Sequence, residues 1–206
     1  DGEMTFGELK QLLQMAADGK LSGTEKTDGQ NIFLSFNAKT GRAVAARNKG
    51  QLKQGGLDAD ELDSFFANHP SQALRYSFVE ALEAFEDEVK KLDIDTQENI
   101  FGSDASVFFN TEVMNPGSPE APEGDPRGKG TTNVIPYDKK TLLIHRVGHG
   151  QFDRETGKKT DLDITPNFDL LDRAFIDSAT EDPSLFSVET NPVRKLSPLQ
   201  DKSILK

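Results

Sequence analysis

At 206 residues and 22.7 kDa, the chain is long enough to bury a core of its own without covalent staples. It contains no cysteine, which excludes disulfides and thiolate metal sites. No apolar run reaches the length of a membrane span, so the expectation is a soluble, cytoplasmic protein with no membrane partner. The net charge of −11 argues against a general nucleic-acid binder, because phosphate contacts need clustered lysine and arginine.

The chain opens with Thr5-Phe6-Gly7-Glu8, a capping box that predicts a helix start. Phe6, Leu9, Leu13 and Ala16 follow at helical spacing and Gly19 offers a stop, which describes a scaffold helix packed on a sheet. Next comes Glu25-Lys26-Thr27-Asp28-Gly29-Gln30-Asn31, where a lysine is set against an acid and a glycine just before an apolar run. Taken alone, that stretch reads as a T-D-G turn beside a solvated lysine. Ile32, Leu34 and Phe36 then share one strand face, residues 37–41 make a hairpin connection, and residues 42–47 return. This arrangement puts Lys26 in the loop entering a two-stranded ribbon and lets Lys26 and Arg47 face one pocket. Arg42, Arg47, Lys49 and Lys53 have no acid between them and form either a local basic cluster or a solvated turn.

Gly55-Gly56 breaks the pattern, and Asp58 with Glu61 starts a helix whose Leu62, Phe65 and Phe66 turn inward until His69-Pro70. A longer helix over about residues 71–92 carries the stripe Leu74, Phe78, Ala81, Leu82, Phe85 and Val89. Its opposite side, with Glu83, Glu86, Asp87 and Glu88, reads as a solvated surface. Residues 106–114 alternate as a strand, with Val107, Phe109, Thr111 and Val113 on one side and Phe108, Asn110, Glu112 and Met114 on the other. A carboxylate on such a strand is costly to bury unpaired, which assigns Glu112 to an open face or a site. Residues 115–132 are rich in Pro and Gly and predict a mobile surface loop. Residues 133–137 and 141–147 predict a strand pair. His145 and His149 would sit on the second of these and its exit, with no third metal ligand spaced nearby. A turn around residues 155–157, a helix opened by Thr165-Pro166 and an extended tail over 183–206 complete the chain.

Lys26-Thr27-Asp28-Gly29, then Ala45-Ala46-Arg47-Asn48-Lys49-Gly50, Phe108-Phe109-Asn110-Thr111-Glu112 and Thr141-Leu142-Leu143-Ile144-His145 form an ordered succession. This succession resembles the covalent nucleotidyltransferase superfamily of ATP-dependent DNA ligases, RNA ligases and mRNA-capping enzymes. It is most similar to the double-strand-repair type of phage RNA ligase, which also has Glu before the lysine and Asn two residues after the glycine. The likeness covers about residues 20–150. It implies an α+β adenylation core, antiparallel sheets flanked by helices, with Lys26 as the nucleophile that takes AMP from ATP. It further implies nucleotide contacts from Glu25, Asp28, Gly29, Asn31, Arg47 and Glu112, with Glu112 on the ribose or on Mg²⁺. Where the family stacks an aromatic ring on the purine, the aliphatic Ile144 or His145 would stand instead. The implied partners are nucleic-acid ends, RNA or a nicked duplex, met in the host cytoplasm if the chain is phage-encoded.

Two further family motifs, an E-G-x-V or D-G-x-V strand and a K-x-K pair, have no counterpart here. Together with the start at Asp1, this predicts a single nucleotidyltransferase-like domain over 1–206 that is a fragment. The alternatives are a GTP-dependent capping guanylyltransferase and a phage virion or accessory module that binds nucleotide without turnover.

Overall fold

The computed structural model describes residues 5–23, 27, 29–118, 120–131, 137–149, 163–192 and 194–195. In chain order the elements are α1 (Phe6–Ala17), β1 (Ser22–Gly23), β2 (Gln30–Asn37), β3 (Arg42–Ala46), α2 (Lys49–Gln54), α3 (Ala59–Phe66) and α4 (Gln72–Lys90). They continue with α5 (Ile94–Phe101), β4 (Phe108–Met114), β5 (Thr141–His149), α6 (Thr165–Ala174), β6 (Ser187–Asn191) and β7 (Arg194–Lys195). The chain divides into two compact units, residues 1–26 with 192–206, and residues 27–191.

In the first unit, β1 pairs antiparallel with β7, Ser22 opposite Lys195. Helix α1 begins at the expected capping box: Thr5 Oγ1 accepts from the Glu8 amide, and Glu8 Oε2 accepts from the Thr5 amide. Phe6, Leu9, Leu12 and Leu13 on this helix are exposed, in contrast to the packed scaffold helix that their spacing predicts.

The second unit is α+β, a five-stranded mixed sheet in the order β3-β2-β4-β5-β6 with helices against it. All neighbours are antiparallel except β5 and β6, which run parallel. Strand alternation decides the two faces. Ile32, Leu34 and Phe36 of β2, Phe109 and Val113 of β4, Leu142 and Ile144 of β5 and Val188 of β6 point to one face. There they meet Leu62 and Phe66 of α3, Phe78, Leu82 and Phe85 of α4, Ile100 and Phe101 of α5 and Phe168 of α6. Thr111 also points into this core, where its hydroxyl donates to the Ile32 carbonyl at 2.7 Å, so a buried polar group is satisfied. The opposite face carries a smaller apolar patch of Phe33, Val44, Ala46 and Phe108 with Leu52 of α2.

Several expectations change. Helices α2 and α5 have no counterpart in the pattern reading, because α2 has Leu52 as its one large apolar residue and α5 ends on adjacent Ile100 and Phe101, so neither shows a repeat to count. Part of the tail expected to be extended over 183–206 is β6, a strand paired parallel to β5. Within the Pro/Gly-rich stretch, Asn115 is buried and donates to Ser77 Oγ at 2.8 Å, and the Thr131 amide closes onto the Asn115 carbonyl at 2.8 Å. A 3₁₀ turn at Pro126–Gly128 lies against α4. The described part of this stretch is therefore in contact with α4 at Asn115 and at Pro126–Gly128, despite its low apolar content. Glu86 is no solvated residue either: it accepts from the Ala43 amide at 2.8 Å and from Arg42 Nε at 3.3 Å, clamping α4 to β3. The strand expected at 133–137 and the turn at 155–157 fall outside the described residues, Tyr137 apart.

Candidate functional site

The open face of the sheet brings together residues far apart in sequence. Asn31 at the start of β2 is directly opposite Glu112 of β4, and Glu112 is directly opposite Leu143 of β5. Cross-strand neighbours share a face, so these three line one surface. Thr27, the residue after Lys26, is buried and its hydroxyl donates to Glu112 Oε2. On the other side of that carboxylate, His145 Nε2 lies 3.8 Å from Glu112 Oε1, and His145 Nδ1 is 3.2 Å from Asn191 Nδ2 on β6. Asn31 Nδ2 donates to Asn110 Oδ1 and to the Thr111 carbonyl, the latter at 3.3 Å. The result is a polar chain, Thr27–Glu112–His145–Asn191, laid across the strands.

Glu25, Lys26 and Asp28 lie outside the described residues. Gly29 is described, and its backbone passes so close to β4 that a Cβ would stand 2.9 Å from the Val113 carbonyl and 3.2 Å from Glu112 Cβ. Glycine is needed there for close approach, since no positive φ is involved. We expect Gly29→Ala to cost about 1–3 kcal/mol by overpacking, read as a lower urea midpoint at unchanged m-value. A midpoint equal to the wild type would refute the close approach.

Arg47 reaches the start of β2 from the helix side. Its guanidinium donates to the Asn31 carbonyl and stacks over the Phe78 ring at 4.8 Å. Desolvation there holds its pKa below the ordinary arginine value, without removing the charge. Arg47 and Asn31 are thus brought together, but Arg47 stands on the other side of the sheet from Glu112. Ile144 is corrected outright as a nucleotide contact: it is fully buried in the main core, opposite Thr111. Leu143 and His145, its neighbours on either side, are the β5 residues that face Glu112. Three apolar residues in a row on β5 hide the alternation, so sequence cannot say which of them faces out.

Desolvation pushes the His145 pKa below the ordinary histidine value, and the Glu112 charge opposes this only in part. A folded pKa below the unfolded one means that the unfolded chain takes up more protons, so stability is present above the unfolded pKa and is lost as pH falls through the folded one. Acidification from pH 7.5 through about 6.5 and below is therefore expected to lower the urea midpoint more in wild type than in His145→Asn. Equal losses in the two would show that His145 is not responsible.

Among the described residues, no cluster of three or more His, Asp or Glu could hold a metal ion. One carboxylate suffices for the common Mg²⁺ arrangement, in which one or two protein carboxylates join substrate phosphates and water, and Glu112 fits that minimal part. A cavity of about 580 Å³ lies elsewhere, between α4 and residues 177–186. Glu80, Glu83, Asp87, Glu88 and Asp177 line it, and its two lysines are paired, Lys140 with Glu80 at 2.8 Å and Lys91 with Glu88 at 2.6 Å. That charge disfavours a phosphate ligand in this cavity.

Sequence reasoning missed Thr27, Asn110 and Asn191. Asn110 was within reach, two residues before Glu112 and so on its face. Asn191 gave no signal, because only the parallel pairing of β5 and β6 brings it beside His145. No family model, no curated protein and no solved structure matches this chain, so the reading of the site rests on its own residues and geometry.

Proposed function

We propose that this protein is an ATP-dependent covalent nucleotidyltransferase that joins polynucleotide ends, RNA rather than DNA. The observation that carries the reading is the linkage around Glu112. The residue directly after Lys26 is hydrogen-bonded to this carboxylate, and Asn31, two residues past the glycine of the same motif, is its cross-strand neighbour. Motif residues separated by about 80 positions in sequence thus share one surface, as a nucleotide pocket requires.

The chemistry follows from the residue types. An unprotonated Lys26 amine attacks the α-phosphorus of ATP; the N–P bond forms, the bond to the bridging oxygen breaks, and pyrophosphate leaves with the electron pair while the amine proton passes to solvent. A cation beside the amine favours its neutral form by lowering its pKa. Asn31 is assigned to the reacting phosphate, and Arg47, across the sheet from Glu112, to holding the Asn31 backbone in place through its carbonyl. Glu112, oriented by Thr27, is assigned to the ribose or to Mg²⁺, which when bound supplies positive charge to the phosphate oxygens. AMP then passes to a 5′-phosphate and is displaced by a 3′-hydroxyl.

The test is incubation with α-labelled ATP or GTP and Mg²⁺, followed by a denaturing gel and intact mass. An adduct of AMP mass supports the reading, and an adduct of GMP mass transfers it to the capping class. Nucleotide binding with no adduct, here and in a longer version of the chain, replaces it with a binding module.

A further inference from the structure

Among the described residues of the second unit, most cations are paired with carboxylates, Lys39, Lys129 and Arg173 stand singly without one, and a single stretch gathers several unpaired cations. Helix α3 and its cap carry four carboxylates, and all are engaged. Asp58 and Asp60 lie 3.8 and 3.6 Å from Arg42, Asp63 is 2.5 Å from Arg75, and Glu61 accepts from the Asp58 amide at 3.0 Å. Beside them, Arg47, Lys49 and Lys53 have no carboxylate within ion-pair distance among the described residues, and the two lysines are exposed or nearly so, one helical turn apart on α2. A chain of net charge −11 thus keeps three unneutralised cations in seven consecutive residues.

Next to this cluster lies an open groove of about 540 Å³, lined by Asn48, Gln54, Leu57, Glu61, Ser64 and Phe65. Phe65 is the unexpected member. Helical spacing predicts that it turns inward with Leu62 and Phe66, yet 56% of it is exposed, because α3 has a single packed side and Leu62 and Phe66 occupy it. Phe66 supports the ring edge-on at 5.0 Å, holding it in place while leaving its surface open. An exposed, braced aromatic beside unpaired cations is the arrangement on which single strands stack bases and lay down phosphates.

We infer that the α2–α3 surface docks a single-stranded segment of the nucleic-acid substrate, with a base on Phe65 and backbone phosphates on Lys49 and Lys53, leading toward Arg47. The inference rests on the proposed function and adds to it a strand-holding surface outside the nucleotide pocket. Polar Asn48, Gln54 and Ser64 supply sequence-tolerant hydrogen bonds along the groove. A blunt duplex, whose bases are already stacked, gains nothing from Phe65.

The test is fluorescence anisotropy with a labelled 12-nucleotide single-stranded RNA and a blunt duplex of the same sequence, across a salt series. Thermal melts of each variant confirm folding. Phe65→Ala is expected to weaken single-strand binding about 5- to 100-fold, and Phe65→Trp to restore it. Lys49→Ala with Lys53→Ala is expected to weaken binding and to flatten the log–log salt slope by roughly 1.4. Equal affinity for duplex and single strand, unchanged binding in Phe65→Ala, or no RNA binding by the wild type would each overturn the inference. Labelling with α-labelled ATP in parallel separates the two claims. A labelled wild type whose RNA binding ignores Phe65 and the lysines keeps the nucleotidyltransferase and loses the docking surface. Binding that depends on Phe65 with no label anywhere keeps the surface and loses the catalytic reading.

Discussion

Lys26→Ala is expected to reduce covalent AMP transfer to background while leaving the fold and noncovalent ATP binding in place. A methyl group has no lone pair to attack phosphorus, so the loss is complete rather than partial. Lys26→Arg should behave the same way, because a guanidinium does not deprotonate at working pH and cannot act as the nucleophile. Intact mass after incubation with ATP and Mg²⁺ reads the adduct, and calorimetric titration with ATP reads the binding. An adduct that persists in Lys26→Ala would place the nucleophile elsewhere in the chain. Loss of ATP binding together with loss of the adduct would make Lys26 a binding residue and remove the argument for a covalent intermediate. Glu112 is hydrogen-bonded by the Thr27 hydroxyl and has Asn31 as its cross-strand neighbour, neither contact using the Lys26 side chain, so the remainder of the site should survive the substitution.

Phe101→Ala should be the most damaging substitution in the core. The side chain has no exposure and meets three other rings, Phe85 at 5.7 Å and Phe109 at 5.8 Å edge-on, and Phe36 at 6.2 Å tilted. These rings come from α4, β4 and β2, so one truncation opens a cavity where α5 joins the sheet to the longest helix. Phe-to-Ala changes in such positions cost about 3–5 kcal/mol, a large share of the roughly 5–15 kcal/mol that holds an ordinary domain folded. Phe65→Ala, on an exposed ring, should stay within about 0.5 kcal/mol of wild type. Urea denaturation of both variants measures the contrast. A loss below about 1 kcal/mol for Phe101→Ala would mean that the core collapses to fill the space.

The contrast between these two phenylalanines shows where pattern reading succeeds. Helices α3, α4 and α6 and strands β2, β3 and β4 follow periods written in local sequence, and Leu62, Phe66, Phe78, Phe85, Ile32 and Phe109 are in the core as those periods require. Phe65 breaks the pattern because helical spacing states which residues lie on a common side, not how wide a strip the neighbours will cover. Helix α5 escaped notice because Ile100 and Phe101 are adjacent at its end and leave no repeat to count, although they are among the most buried residues.

The site divides the same way. Lys26, Asn31, Arg47 and Glu112 stood out by residue type and order, and the geometry brings Asn31 to Glu112 and Arg47 to Asn31. Ile144 did not survive, since type and order carry no information about which side of a wholly apolar strand is open.

By itself, the sequence determined the kinds of element, their capping and the alternation of their faces, because these depend on residues within a few positions of one another. Only the tertiary structure decided that Asn31 meets Glu112, that Thr27 and His145 flank that carboxylate, that Asn191 reaches His145 from a parallel strand, and that Phe65 stays in solvent beside unpaired lysines. Strand register and helix coverage are settled by contacts between segments distant in the chain, where the cost of ordering and the gain of burial are decided together.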